Sequence, residues 1–374
     1  DVAEGRYRNA EFAADLSQVI TGKASFEYMD PVEFFSRTYI TAGMKSLLVE
    51  VLKRLSGKDG EPVIELKTAF GGGKTHTMLA LYHMLSGKTT IDLVPTLRPI
   101  ADAAGLSGLP KVNIAVIVGT AINATKSKRP QDMPGITINT LWGEIAYQLA
   151  KTSNNPVLYD IIKESDKKGI NPGSETLTEL FDTCGPCMVL IDELVSYVRS
   201  LYGIKDLPAG SYENCLSFIQ SLTEAASTSK NCVLVASIPE SDMEVGGEIG
   251  QKVLDTITHY IGRKESIWKP VESSEGFEVV RRRLFARATD DEAKKNTCEA
   301  FFKMYCENPA DFPVECRQPE YLERMIACYP IHPDVFDKLY NDWATLEKFQ
   351  RTRGVLRLMA NVINSLWENN DTGL

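Results

Sequence analysis

The chain has 374 residues, 43% apolar and 24% charged, with a formal net charge of -9. That length fits one large or two ordinary domains and carries a sizeable core. The acidic balance argues against bulk affinity for nucleic acid while leaving room for a local basic stripe. No apolar run approaches the ~18 residues of a membrane span; the longest, "VNIAVIVGTAI" at 112–122, is short and contains Asn113.

No segment reads as a signal peptide, and the scattered cysteines are read as those of a protein of the reducing cytoplasm. The chain starts at Asp1 without a methionine and stops soon after a helical pattern, so a piece of a longer protein is expected. Eight cysteines, at 184, 187, 215, 232, 298, 306, 316 and 328, do not make a dense disulfide framework in a chain this long. Several lie in apolar patterns, where a thiol behaves as a small hydrophobe. A single CxxC with no second pair at zinc spacing predicts no structural zinc.

In chain order, residues 1–37 are mixed and broken at Asp30-Pro31. The segment 38–55 has helical periodicity and ends in the turn cluster "SGKDGEP". "PVIELKTAF" at 62–70 predicts a strand running into a glycine run, and "TMLALYHML" at 77–85 predicts the helix after it. "KVNIAVIVG" (111–119) is a continuous apolar run of the kind buried on both faces of a parallel sheet. "INTLWGEIAYQLA" (138–150) is an amphipathic helix, and "CMVLI" (187–191) is the next strand. In "CLSFIQSLTEAAS" (215–227), Leu216, Ile219, Leu222 and Ala226 share one helical face. "NCVLVASIP" (231–239) and "ESIWKPV" (265–271) predict two further strands. From 275 onward the pattern is helical, with proline breaks near 309–313 and 330–333.

Strands alternating with helices imply an α/β fold, a parallel sheet covered on both faces. Five strands are expected. The organisation expected is an N-terminal helical segment (1–60), a core (61–271) and an α-helical lid (272–374).

"TAFGGGKTHT" is the strongest signal. A strand ends, glycines turn, Lys-Thr follows and a helix begins, which is the layout of a phosphate-binding loop. Glycines let backbone N–H groups close around an anion, and the helix N-terminus adds its positive dipole end. Ala69, Phe70, Gly71, Gly72, Gly73, Lys74, Thr75 and His76 are the expected nucleotide contacts. Lys74 would meet the outer phosphates as a point charge, and the Thr75 hydroxyl would ligate Mg²⁺. The loop motif asks for glycine where this chain has Thr68, and Gly71 and Gly72 supply compensating freedom.

The stretch "TCGPCMVLIDELVSY" (183–197) offers two chemistries. Cys184-Gly185-Pro186-Cys187 spells a thioredoxin redox motif, whereas "MVLIDE" reads as the acidic strand of a P-loop hydrolase. There Asp192 would hold Mg²⁺ through water and Glu193 would polarise the attacking water. A redox CxxC must open a helix, whose dipole lowers the first thiol's pKa. Here it precedes a strand, so the redox reading is rejected and Gly185-Pro186 is read as the turn into that strand. Ser237, at the end of the strand "VLVASIPE", would hold the lytic water or the γ-phosphate, or simply satisfy backbone. Arg263, before the last strand, would reach a neighbouring subunit's nucleotide, or else is an exposed basic residue. In "FQRTRGVLRLMANVINSLW" (349–367), Val355, Met359, Val362, Ile363 and Leu366 form the apolar side. Arg351, Arg353 and Arg357 crowd its first turns, where cations oppose the helix dipole and call for an anion. "RRRLFAR" (281–287) is read as a solvated helix face or a lid contact.

With these parts in order the chain resembles an AAA+ P-loop ATPase. On that resemblance Ser237 matches the first sensor, Arg263 the arginine finger, and Arg357 in "GVLR" the second sensor, and a homo-oligomer is implied. The long gap from Lys74 to Asp192 implies insertions within 86–110 and 120–182. "DPVEFFSRTYITAGMKSLL", "AFGGGKTHTMLALYH", "TLWGEIAYQL", "YPIHPDVFDKLY" and "FQRTRGVLRLMA" carry the likeness further. They are similar to the N-terminal part of large prokaryotic ATPases long carried as a domain of unknown function. Those ATPases are encoded beside DNA methyltransferases in BREX-type phage-defence loci. The resemblance implies ATP and Mg²⁺ as ligands, and DNA with methyltransferase or other defence-complex proteins as partners.

The leading expectation is an ATPase motor or switch that remodels a DNA-bound modification or defence complex. The alternative is a nucleotide-gated assembly module with little turnover, which would have no need of a carboxylate at Glu193. A small-molecule kinase fits less well, because the helical tail is long and nothing after the sheet looks like a compact acceptor-binding lid.

Overall fold

The computed structural model describes residues 14–68, 72–240, 245, 247–261, 265–268, 275–285, 290–339 and 351–369, with backbone alone for 265–268 and 351–353. Contacts divide the chain into two compact units. Residues 14–36 and 40–271 make the larger; residues 37–39 and those from 272 onward fall in the smaller.

The larger unit begins with four helices: α1 (Leu16–Ile20), α2 (Phe26–Met29), α3 (Pro31–Ser36) and α4 (Ala42–Leu55). In α4 the apolar residues Met44, Leu47, Leu48, Val51, Leu52 and Leu55 recur at helical spacing and are buried. Its start is set by Thr41, whose hydroxyl accepts the Met44 N–H at 3.0 Å. The chain continues through β1 (Val63–Thr68), α5 (Lys74–Leu85), α6 (Arg98–Ala103), β2 (Asn113–Val118) and α7 (Leu141–Ser153). Then come α8 (Val157–Asp160), α9 (Lys163–Lys168), α10 (Ser174–Cys184) and β3 (Cys187–Asp192). The unit closes with α11 (Leu194–Leu201), α12 (Tyr212–Thr228), β4 (Cys232–Pro239), α13 (Glu248–Ile261) and β5 (Glu265–Trp268).

The strands run in the order β2-β3-β4-β1-β5, all pairings parallel. Of the five strands expected, four make up the main sheet. Four strands of six to eight residues make the sheet, and the four-residue β5 adds a short ladder along the outer edge of β1.

Alternation along the strands feeds two cores. Ala115, Ile117, Val189, Ile191, Leu234 and Ala236 pack on one side with α7 and α10 to α13. Ile114, Val116, Met188, Leu190, Val233 and Val235 pack on the other with α1 to α5. The helix after β1 and the helix after β3 therefore leave the sheet on opposite faces. In an open parallel sheet such divergence leaves a crevice at the carboxyl ends of the strands.

One buried carboxylate fixes how α7 docks. Asp166, fully buried on α9, accepts the Thr140 N–H at 2.9 Å, the Thr140 hydroxyl at 2.5 Å and the Tyr159 hydroxyl at 2.6 Å. Thr140 in turn caps α7 by accepting the Gly143 N–H at 3.1 Å. Burial first, and the bond to Asp166 second, push the Tyr159 phenol well above its ordinary range. Gly143 is what lets the carboxylate approach: a Cβ there would sit 2.1 Å from Asp166 Oδ1.

The smaller unit is helical where described: α14 (Gly276–Leu284), α15 (Asp291–Glu307), α16 (Pro319–Cys328), α17 (Pro333–Asp337) and α18 (Arg351–Glu368). Phe277, Val280, Phe336, Val355 and Leu356 share one core. The apolar side expected of α18 is only partly used. Val355, Leu356 and Ala360 are buried, whereas Val362 and Leu366 are exposed, so the helix packs through its first half.

Among the described residues no helix is long and apolar enough to cross a membrane. Gly143→Ala should destabilise the larger unit by about 2 kcal/mol, the scale of an overpacked interior site. Urea unfolding of the two chains checks this, and equal midpoints would contradict the Asp166 anchor.

Candidate functional site

The glycine run after β1 ends at Gly73, whose φ of +88° is the left-handed conformation that glycine adopts without a Cβ penalty. Lys74 and Thr75 open α5 directly after it. The Lys74 ammonium turns back to donate to the Thr68 carbonyl at 2.5 Å, spanning the loop from helix to strand end. The Thr75 hydroxyl points across the crevice and donates to Asp192 Oδ2 at 2.8 Å. His76 faces a different way, its ring 4.7 Å from that of Phe34 on α3. Gly72 is half-buried ahead of Gly73. Ala69, Phe70 and Gly71 lie outside the described residues.

Asp192 ends β3 and is 5% exposed. Its second oxygen, Oδ1, accepts the Ser237 hydroxyl at 2.5 Å and the Glu193 N–H at 3.1 Å. Two hydroxyls and an amide thus converge on its two oxygens. Strand pairing makes this possible, since Ile191 lies beside Ala236 and Leu66 beside Ser237 in adjacent ladders.

Glu193 follows in the left-handed conformation, φ 56° and ψ 36°, and starts α11. A residue with a side chain held there carries backbone strain, which gathers at working sites. Gly119 makes room for it: a Cβ on Gly119 would lie 2.2 Å from the Glu193 carbonyl oxygen. The Glu193 side chain is bonded by Thr120, whose hydroxyl donates to Oε2. Thr120 lies in the turn just past β2, where pairing of Val118 with Asp192 brings the two strand ends level. A cleft of about 440 Å³ opens beside it, lined by 120–125 with Ser200, Ile204 and Leu207.

Lys74, Thr75, Asp192, Glu193 and Ser237 thus meet at one edge of the sheet. Thr120 and Gly119 join them without having been singled out from sequence. Their signal was the "GT" that follows a buried strand, the same strand-end polarity that marks Asp192 and Ser237. Arg263 lies outside the described residues. Arg353 lies on α18, and Arg357 is exposed on the same helix in the smaller unit.

A hydroxyl and a carboxylate side by side are hard oxygen donors of the type Mg²⁺ takes, with water and substrate phosphates completing its shell. No cluster of three or more His, Cys, Asp or Glu able to hold a metal exists among the described residues.

The Cys-Gly-Pro-Cys run has the opposite geometry to a redox motif. Cys184 is the last residue of α10 and Cys187 the first of β3, both buried. The hydrogen bond with Cys187, and then burial, push the Cys184 thiol far up. Cys187 is raised as well: its contact from Cys184 pulls it down, but the contact with Cys232 and burial outweigh that. Both shifts disfavour the thiolate, which is the nucleophilic form.

The molecule is an α/β protein with a buried hydroxyl–carboxylate cluster at the carboxyl ends of a parallel sheet. Residues 1–277 match the family model described as the DUF499 N-terminal domain, and the chain belongs to that family. No curated protein and no solved structure matches it.

A thiol-reactive maleimide applied to the native protein should label Cys306, the exposed cysteine, and spare Cys184 and Cys187. Mass spectrometry of the digest reads the outcome. Rapid labelling at Cys184 would revive the redox chemistry rejected above.

Proposed function

We propose that the chain is a P-loop ATPase of the AAA+ kind that binds ATP with Mg²⁺ and hydrolyses it. The observation that carries the reading is the Thr75–Asp192 hydrogen bond at 2.8 Å, joining the helix after a glycine run to the acidic end of a buried strand. In nucleotide hydrolases these two side chains belong together on the metal, and Lys74 and Glu193 flank them here in the order the chemistry needs.

Thr75 and Asp192 would hold Mg²⁺, which when bound neutralises charge on the phosphates. Lys74 would leave the Thr68 carbonyl for the outer phosphate oxygens, a short swing of a flexible side chain. The N–H groups at the start of α5 would receive phosphate oxygens, aided by the helix dipole. Glu193, exposed and one residue beyond Asp192, would orient the attacking water. The larger role rests on family resemblance in the sequence alone: a cytoplasmic, oligomeric ATPase serving a DNA-modification or phage-defence complex. Arg263 acting in trans, and Arg353 and Arg357 on the same nucleotide, belong to that proposal.

The Thr120 bond favours a second reading, a nucleotide-gated assembly module with little turnover. The hydroxyl takes one of the Glu193 carboxylate's acceptor positions and ties it to the turn after β2.

Lys74→Ala should weaken ATP-Mg²⁺ binding in a calorimeter. Glu193→Gln should bind normally and lose about 10²-fold or more in turnover, the usual scale for a positioned base. Equal ATP affinity in the wild type and Lys74→Ala would sink the nucleotide site. Thr120→Val separates the readings: raised turnover means Thr120 restrains a working base. A wild type and a variant that both bind ATP yet hardly turn it over favour the assembly module.

A further inference from the structure

Ser237 is 3% exposed at the end of β4, and its hydroxyl both donates and accepts. The proton goes to Asp192 Oδ1 at 2.5 Å. The oxygen accepts the Glu193 N–H at 3.1 Å, an amide it shares with the same Oδ1. A hydroxyl has one proton to give. With that proton on Asp192, Ser237 has none for a phosphate oxygen, and one of its oxygen's two lone pairs already receives the Glu193 amide.

Both bonds end on the acidic pair. The first fixes the rotation of the Asp192 carboxylate, so that Oδ1 faces β4 and Oδ2 is left toward Thr75. The second helps hold the Glu193 amide in its left-handed conformation. Without the Ser237 donor, Oδ1 would keep only the longer Glu193 N–H bond at 3.1 Å, and the carboxylate would be held less firmly in line with Thr75.

We propose that Ser237 is a positioning residue for the metal ligand Asp192, and not a contact to the γ-phosphate or the lytic water. This rests on the ATP-Mg²⁺ site proposed above. The hydroxyl then matters for the cation and not for the nucleotide itself.

The test compares Ser237→Thr with Ser237→Val. The two replacements have similar volume, so any packing cost is common and their difference reports the hydroxyl. Two quantities are read by calorimetry: ATP affinity in EDTA, and the Mg²⁺ concentration that half-restores full ATP affinity. Ser237→Val should raise the Mg²⁺ requirement about 10-fold to 100-fold, the scale of losing a partner that orients a metal ligand. Its affinity for ATP in EDTA should stay unchanged, and Ser237→Thr should track the wild type. Val and Thr behaving alike would overturn the assignment. So would a fall in turnover with the Mg²⁺ requirement unmoved, which is the signature of a contact to phosphate or water. A wild type that binds no ATP-Mg²⁺ would overturn the site and Ser237's role together.

Discussion

The candidate site depends on seating one carboxylate where water hardly reaches. Burying a charge is costly unless hydrogen bonds replace its hydration. Asp192 meets that demand with donors from three places: Thr75 on α5, Ser237 on β4 and the backbone of Glu193. Each donor constrains its own element. Thr75 reaches only if α5 starts where the glycine run releases it, and Ser237 only if β4 pairs with β3 in the observed register. Glu193 donates from a strained backbone that only a glycine at 119 leaves room for. The carboxylate thus ties the helix after β1, two central strands and the turn after β2 to one point.

Much of this was legible in the residues. Runs such as "MVLI" and "VLVA" are apolar on both faces, which only a covered parallel sheet uses, so β1 to β4 fall where the pattern puts them. Lys74, Thr75, Asp192 and Glu193 announce themselves because each follows a strand and carries chemistry that a mere turn does not need. What stayed hidden depends on distance through space. Thr120 looks like any threonine after a strand until the β2–β3 register sets it level with Glu193. Asp166 sits in a polar run, "KESDKK", that reads as a solvated helix, and only folding brings it under the start of α7. The unused outer half of α18 was missed for a related reason: periodicity shows which face could be buried, not how far the partner extends.

The cysteine motif shows the same principle in reverse. Four letters that form a reactive site at a helix start are inert at a helix end. There the dipole disfavours a thiolate, and neighbouring thiols with burial raise both pKa values. Spacing alone carries chemistry only when the backbone around it is the right backbone.

The central claim is that the Thr75 hydroxyl and Asp192 form the protein's half of a metal–nucleotide site. Thr75→Val keeps the shape of that side chain and removes its donor and ligand oxygen. Calorimetric titration of ATP into the wild type and this variant, with Mg²⁺ and again in EDTA, tests the claim most directly. The account predicts that the variant loses affinity in Mg²⁺ and matches the wild type in EDTA. Equal affinities in Mg²⁺ would contradict it.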